Sequence, residues 1–249
     1  MKKFQIRKLL NVISRLNIFI FSYLLYLIQL IFIFLKLKNS AKNLFNYAAY
    51  FCSLSLGIKY EIEENLKKNF LEKGIHVANH DNPLDIFIAQ YLFKIKTITT
   101  VDQHLSNFLP FFKFSLENYG HFCFNYLNDR ERKSAYFFLD KICKNDKNVL
   151  IYPSGSIYTS ITKRFSKSVS KLSKVNNLKV IAWKFIFDDK ASIEYNRNIS
   201  KYILNRICSE KLILRIEKVK VFYPGDYKNF EDLHVKLCSF YLNSYNNLY

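Results

Sequence analysis

The chain has 249 residues, half of them hydrophobic and 17% aromatic, with a formal net charge of +18. That length holds one full core with a small appendage, and that apolar content excludes a disordered chain. Its five cysteines (52, 123, 143, 208 and 238) are odd in number and scattered, with no Cys-x-x-Cys pair. This argues against a disulfide framework or a zinc site and points to free thiols in a reducing compartment.

The positive charge has three readings: a nucleic-acid partner, an anionic membrane surface, or a composition rich in Lys, Asn, Ile, Phe and Tyr. The last accounts for much of the lysine. Membrane adhesion is the better functional reading, since each cation near anionic lipid is worth about 1 kcal/mol. No RNA- or DNA-binding signature is present, so no nucleic acid is expected.

In chain order, residues 1–15 hold Lys2, Lys3, Arg7, Lys8 and Arg15 and no acid. Ile18 to Leu35 then runs without a charge, about the length that crosses a bilayer's hydrocarbon core. A buried core helix is the competing reading. A cleaved signal would show a shorter apolar region and a small-residue cleavage site. After Lys36, Lys38 and Lys42, the stretch from Leu44 to Leu56 is marginal as a span and suits an interfacial or re-entrant partner helix. The expectation is a two-helix membrane anchor over residues 1–57, followed by a second domain over 58–249.

From Gly57 onward, strands and helices alternate. Expected strands are 75–78, 97–101, 121–126, 149–152, 180–187, 192–195 and 212–222. Expected helices are 86–93, 105–117, 130–144, 165–174 and 230–242. The alternation predicts an α/β domain with a mixed sheet flanked by helices, whose sites sit at strand ends.

Two polar corners stand out. In the first, a buried strand ends in Asn79-His80-Asp81-Asn82-Pro83-Leu84-Asp85. Pro83 suits a first helical position, with Asp81 or Asn82 as the cap. Asp85, about one turn into the helix, is within reach of His80. A carboxylate that takes one imidazole N–H leaves the other nitrogen free to accept a proton. His-x4-Asp alone recurs by chance, and the stretch holds a second copy in His76 and Asp81. His76 lies inside the strand and reads as a satisfied structural histidine.

The second corner is Tyr152-Pro153-Ser154-Gly155-Ser156. Its reading is either a plain turn or a set of backbone N–H groups that hold an anion or oxyanion beside Gly155. Ser154 and Ser156 are poor nucleophiles, because the stretch is not Gly-x-Ser-x-Gly. Downstream, Arg164, Lys167, Lys171 and Lys174 share one helical face, opposite Phe165, Val169 and Leu172. That face is either simply solvated or binds a phosphate-bearing headgroup. Arg130, Arg132 and Lys133 open another helix and are open to the same two readings.

With both corners in place, the chain resembles the glycerolipid acyltransferase family, which acylates lysophosphatidate and related lysolipids. Asn79 to Asp85 matches that family's Asn-His-x4-Asp block. Gly120-His121-Phe122-Cys123-Phe124-Asn125-Tyr126 falls where its Gly-x-x-Phe-x-x-Arg block lies. Tyr152 to Ser156 falls where its Phe-Pro-Glu-Gly-Thr block lies, and Phe165-Ser166-Lys167-Ser168 resembles the Phe-Lys-x-Gly that follows. Order and spacing agree from residue 70 to 187, although only the first block is intact. Tyr126 stands in place of an arginine, Ser154 in place of a glutamate and Ile157 in place of a second arginine.

The resemblance implies an O-acyltransferase on the cytoplasmic face of a membrane. Its co-substrate is acyl-CoA or acyl carrier protein, its acceptor is a membrane lipid hydroxyl, and it binds no metal or other cofactor. His80 and Asp85 are the implied catalytic pair. Candidate substrate-binding residues are Asn79, Pro153, Ser154, Gly155, Ser156, Arg130, Arg132, Lys163, Arg164 and Lys167. The altered blocks leave one alternative, a non-catalytic member that binds anionic lipid or a carrier protein.

Overall fold

The computed structural model describes residues 2–80, 82–83, 85–93, 97–107, 111–145, 147–154, 165–187, 199–209 and 211–246. The chain divides into two compact units, one of residues 1–61, 82–95 and 186–215, the other of 62–81, 96–185 and 216–249.

The first unit holds α1 (Lys2–Phe34) and α2 (Lys38–Ser55). Its α1 continues through the basic leader in which the sequence placed only an approach to the apolar run. Residues 8–34 of α1 are long and apolar enough to cross a membrane, and no other helix among the described residues meets that test. The buried stripe of α1 mixes polar residues with Tyr26 and Leu30. Arg15, Ser22 and Gln29, seven residues apart, are buried, while Leu9, Ile13, Ile20, Leu24, Ile31 and Phe34 are exposed. Ser22 Oγ donates to the Ala48 carbonyl at 2.7 Å, so this stripe of α1 faces α2. On α2, Ala41, Phe45, Ala48, Ala49 and Cys52 are buried.

Strand β1 (Ile58–Ile62) follows. It was missed, although Ile58-Lys59-Tyr60-Glu61-Ile62 alternates with the period of a strand. Helix α3 (Asp85–Phe93) and the later α8 (Ile199–Cys208) belong to the same unit. Arg15 reaches the C-terminal end of α8, where Nη1 donates to the carbonyls of Arg206 (3.1 Å), Ile207 (3.4 Å) and Ser209 (2.6 Å). A cation there answers both the unmade carbonyl bonds and the negative end of the helix dipole.

The second unit contains β2 (Ile75–Ala78), β3 (Thr97–Asp102), α4 (Gln103–Ser106), α5 (Phe112–Tyr119) and β4 (Phe122–Phe124). It continues with α6 (Asp129–Lys144), β5 (Asn148–Ile151), α7 (Ser168–Asn176) and most of β6 (Val180–Phe187). The second half of β7 (Leu212–Phe222) and α9 (Phe230–Asn246) complete it. The seven-stranded sheet has the order β1-β7-β6-β2-β5-β3-β4. β2 lies parallel to both β5 and β6, and β3 lies parallel to both β4 and β5. The expected α/β architecture, a mixed sheet flanked by helices, is the one observed.

One face of these strands presents Ile75, Val77, Val149, Ile151, Val180 and Ala182. Leu139 and Cys143 of α6, Val169 and Leu172 of α7, and Leu233, Leu237 and Tyr241 of α9 cover it. The residues on α9 recur every four positions, as a helix laid along a core requires. Each fully buried aliphatic side chain contributes about 1.5–3 kcal/mol.

Three expected elements differ most from those observed. The helix expected over 105–117 is two helices, α4 and α5. Phe111 before α5 takes a left-handed φ of +60°, and Pro110 lacks the N–H a continuous helix needs. The helix expected from Phe165 starts at Ser168, because Ser166 Oγ accepts the Ser168 N–H at 3.3 Å in a local turn. β4 spans three residues rather than 121–126. The expected strand 192–195 and the candidate cap Asp81 lie outside the described residues.

Candidate functional site

Parallel strands place their carboxyl ends along one edge of the sheet, and side chains gather there for chemistry. His80 follows β2, Asp102 ends β3, Phe124 ends β4 and Tyr152 follows β5. All four line one cavity of about 300 Å³. Thr100, Tyr126, Arg132, Tyr136, Pro153, Ser166 and Ser168 also line it. His80 is half-buried, and its ring stacks on that of Tyr152 with centroids 4.5 Å apart.

Three features hold His80 in place. Asn79 is buried, and its side-chain amide pairs with the backbone of Phe185 in both directions. Nδ2 donates to the Phe185 carbonyl at 2.8 Å and Oδ1 accepts the Phe185 N–H at 2.7 Å. The amide thus continues the β2–β6 ladder one step past Ala78, so Asn79 positions the corner and is not among the cavity lining. Tyr241 Oη donates toward the carbonyls of Val77 (3.0 Å) and Trp183 (3.1 Å), tying α9 to both strands just before the corner. His76 is fully buried and satisfied, as expected. Trp183 Nε1 donates to its Nδ1 at 3.0 Å, which leaves Nε2–H to donate to the Glu72 carbonyl at 2.9 Å.

Asp85 belongs to the other unit. It opens α3 fully buried, and its Oδ2 accepts the Asn82 N–H at 3.4 Å while its own N–H donates to the Asn82 carbonyl at 3.1 Å. Asp85 thus closes a local turn with Asn82 at the start of α3. Tyr202 Oη donates to Asn82 Oδ1 at 3.1 Å and steadies the turn.

The cation on the cavity comes from α6. The Asn128 side chain caps that helix, accepting from the N–H groups of Arg130 (3.0 Å) and Glu131 (3.4 Å). Glu131 reaches back to the Asn125 N–H at 2.6 Å. The turn so fixed sets the Arg132 guanidinium 5.8 Å from the centre of the Tyr126 ring, with Nη1 donating to the Tyr126 carbonyl at 3.3 Å. Arg132 also pairs with Asp129.

The other candidates fare differently. Arg130 and Lys167 are exposed and do not line the cavity. Pro153 lines it, and its carbonyl accepts the Ser166 N–H at 2.8 Å, closing the chain across the second corner. Ser154 is buried, and its hydroxyl has no hydrogen-bond partner among the described residues. Gly155, Ser156, Ile157, Lys163 and Arg164 lie outside the described residues.

The basic face of α7 is largely committed to packing. Lys174 Nζ donates to the carbonyls of Pro224 (3.0 Å) and Tyr227 (2.8 Å), and Lys171 sits 5.1 Å over the Phe230 ring. These two lysines hold the turn that leads into α9. Sequence reasoning missed Thr100, Asp102 and Tyr136, and it placed Phe124, Ser166 and Ser168 in the family blocks without assigning them to the site. The rule that strand ends carry the site was available to find Asp102 and Phe124. Among the described residues no cluster of three or more His, Cys, Asp or Glu side chains has the arrangement of a metal site.

Comparison with known proteins bears on the family and the fold. Residues 57–184, just over half of the chain, match the family model described as Acyltransferase. No curated protein sequence matches. Among solved structures, the fold is similar to the crystal structure of the 1-acyl-sn-glycerophosphate (LPA) acyltransferase PlsC from Thermotoga maritima. The TM-score is 0.64 at 16% identity, and the match covers 100% of this chain and 99% of that one.

Proposed function

Because this chain belongs to the glycerolipid acyltransferase family, we propose that it moves a fatty acyl group from a thioester to a hydroxyl of a membrane lipid acceptor. The donor is acyl-CoA or acyl carrier protein, and the acceptor is a lysophospholipid or a related lipid. The observation that carries the reading is His80, set in an Asn-His-x4-Asp motif and lining the cavity at the sheet's carboxyl edge.

His80 takes the acceptor's hydroxyl proton as that oxygen attacks the thioester carbonyl. The tetrahedral intermediate then expels the thiolate, which receives the proton from the imidazolium. Asp85 orients the imidazole and stabilises its charged form. General-base help of this kind is worth about 10²–10⁴ in rate.

The exposed apolar residues of α1 support a membrane location, since immersion in lipid is what removes such a surface from water. Cationic side chains on the same helix suit an anionic leaflet. The free cysteines fit a catalytic domain on the cytoplasmic side.

The test is His80→Ala with radiolabelled acyl-CoA and acyl carrier protein against a panel of lysolipids. Transfer falls by at least two orders of magnitude, while flotation with membranes is unchanged. Near-wild-type transfer excludes His80 as the base. Tyr126 and Ser154, which replace the family's Arg and Glu, favour one other reading, a remodelled member that binds anionic lipid or a carrier protein. Such a protein retains lipid in the same assay without turnover.

A further inference from the structure

Helix α6 has two unlike faces. Arg132, Ala135, Tyr136 and Leu139 turn inward and line the His80 cavity. On the opposite side Arg130, Lys133, Ser134, Phe137 and Lys141 fall three or four residues apart, and all five are exposed. That stripe runs about 17 Å along the helix. Phe137 sits within it, 67% exposed. The acids of α6 are engaged elsewhere: Asp129 with Arg132, Glu131 with the Asn125 N–H and the Asn128 amide, and Asp140 with Lys144 and Asn176. The stripe is therefore cationic around one aromatic ring.

A groove of about 510 Å³ on the flank of α6 joins the two faces, lined among the described residues by Asp129, Arg132, Lys133, Tyr136 and Phe137. Arg132 and Tyr136 are also walls of the His80 cavity, and Lys133 and Phe137 belong to the outer stripe. The way around is short, since a helix with its side chains is about 10–12 Å across. A reactive group on a flexible arm can thus be anchored outside and still reach the cavity that holds His80.

An acyl thioester arrives either on free CoA or on a small acidic protein that carries it on a prosthetic arm. The stripe suits the carrier, whose acidic side chains meet Arg130, Lys133 and Lys141 while an apolar one meets Phe137. An anionic bilayer also attracts cations. A helix lying in a membrane surface, however, sinks its apolar face into the lipid, and α6 has committed that face, with Leu139 and Cys143, to the core. One ring inside a polar rim is the pattern of a protein interface. We infer that the outer face of α6 docks an acidic acyl carrier protein, which passes its arm along the flanking groove toward His80. The inference deepens the acyl-transfer reading and rests on it for what the carrier delivers.

The experiment measures equilibrium binding of lauroyl carrier protein from the same cells, and of lauroyl-CoA, to the full chain in detergent. Wild type, Lys141→Glu, Lys133→Glu/Lys141→Glu, Lys133→Arg/Lys141→Arg and Phe137→Ser are compared, with melting temperature as the folding control. The double reversal and Phe137→Ser should each weaken carrier binding about tenfold or more, and the arginine pair should keep it. Lys141 lies outside the groove, so Lys141→Glu should weaken the carrier about fivefold at low salt and leave lauroyl-CoA binding unchanged. Folded reversal and Phe137→Ser proteins that bind the carrier like wild type overturn the inference. An equal loss of lauroyl-CoA in Lys141→Glu overturns it too. If the reversal spares the carrier but abolishes adsorption to vesicles of phosphatidylcholine and phosphatidylglycerol in equal parts, the stripe is a membrane surface and the inference falls. Turnover is scored separately. A protein that binds the carrier through α6 but never transfers an acyl group refutes the enzyme reading and leaves the docking surface standing. One that transfers from lauroyl-CoA while the stripe variants leave carrier binding untouched does the reverse.

Discussion

Asn79→Ala removes the side chain that extends the β2–β6 ladder next to His80. Two hydrogen bonds are lost, at 2.8 and 2.7 Å, both in a buried setting. Each such bond is worth about 1 kcal/mol net, and each buried backbone group left behind costs about 1–3 kcal/mol more. Allowing for partial relaxation, the loss is about 3 kcal/mol. For a chain of this size that lowers the melting temperature by roughly 6–12 °C. Trp183 is the chain's single tryptophan and lies two residues from Phe185, so its fluorescence reports the transition in detergent. Transfer activity should fall about 10²-fold even well below the melting temperature, because a shift of about 1 Å at the base is enough to do so. Asn79→Asp should be at least as harmful at neutral pH, since a carboxylate oxygen then faces the Phe185 carbonyl. Its defect should lessen at low pH, where the protonated acid donates again. An Asn79→Ala protein with wild-type melting and wild-type turnover would refute the positioning role.

Gly57 holds φ at +76°, and a Cβ there would lie 2.6 Å from Arg15 Nη2. Gly57→Ala should therefore cost about 2–3 kcal/mol through the left-handed backbone and a displaced Arg15, read as a lower melting temperature. An unchanged melting temperature would contradict the Arg15 cap on α8. Burial, reinforced by Asp140, pushes the Cys143 thiol up to about 12, whereas Cys208 is exposed. Iodoacetamide at about pH 8 should label Cys208 on the native protein at least 10²-fold faster than Cys143; equal rates would mean that α6 does not pack as described. Burial and then the Lys167 cation hold the His234 imidazole below the ordinary histidine range, with Glu231 opposing. A depressed folded value means that stability is full above the unfolded value of about 6.5 and is lost as pH falls through it. His234→Phe should accordingly flatten the pH dependence of melting between about pH 7 and 5.

Some of this was legible in the residues themselves. β6 and β7 fall on the expected 180–187 and 212–222, because long β-branched and aromatic runs bounded by turn residues leave a strand few alternatives. The His80 corner was equally legible, since strand, polar turn, proline and apolar helix all agree locally. His76 could be set aside from its place inside a strand, and the Trp183 donor supplies the reason it is satisfied there.

What the chain could not disclose alone depends on partners distant in sequence. Whether Asn79 binds substrate or braces a strand turned on Phe185, 106 positions away. The lysines of α7 looked like one uncommitted face until the turn at 224–227 supplied carbonyls for Lys174. In α1 the apolar run was plain, but its buried polar positions needed α2 and α8 to take up Ser22 and Arg15. Asp102 drew no notice as one of 20 acidic residues; it became part of a site when the parallel order β2-β5-β3-β4 set its strand end on the cavity that holds His80. Periodicity is written in neighbouring residues and survives without the fold. The shape of a binding cavity is a sum over strands far apart in the chain, and only the packed sheet performs that sum.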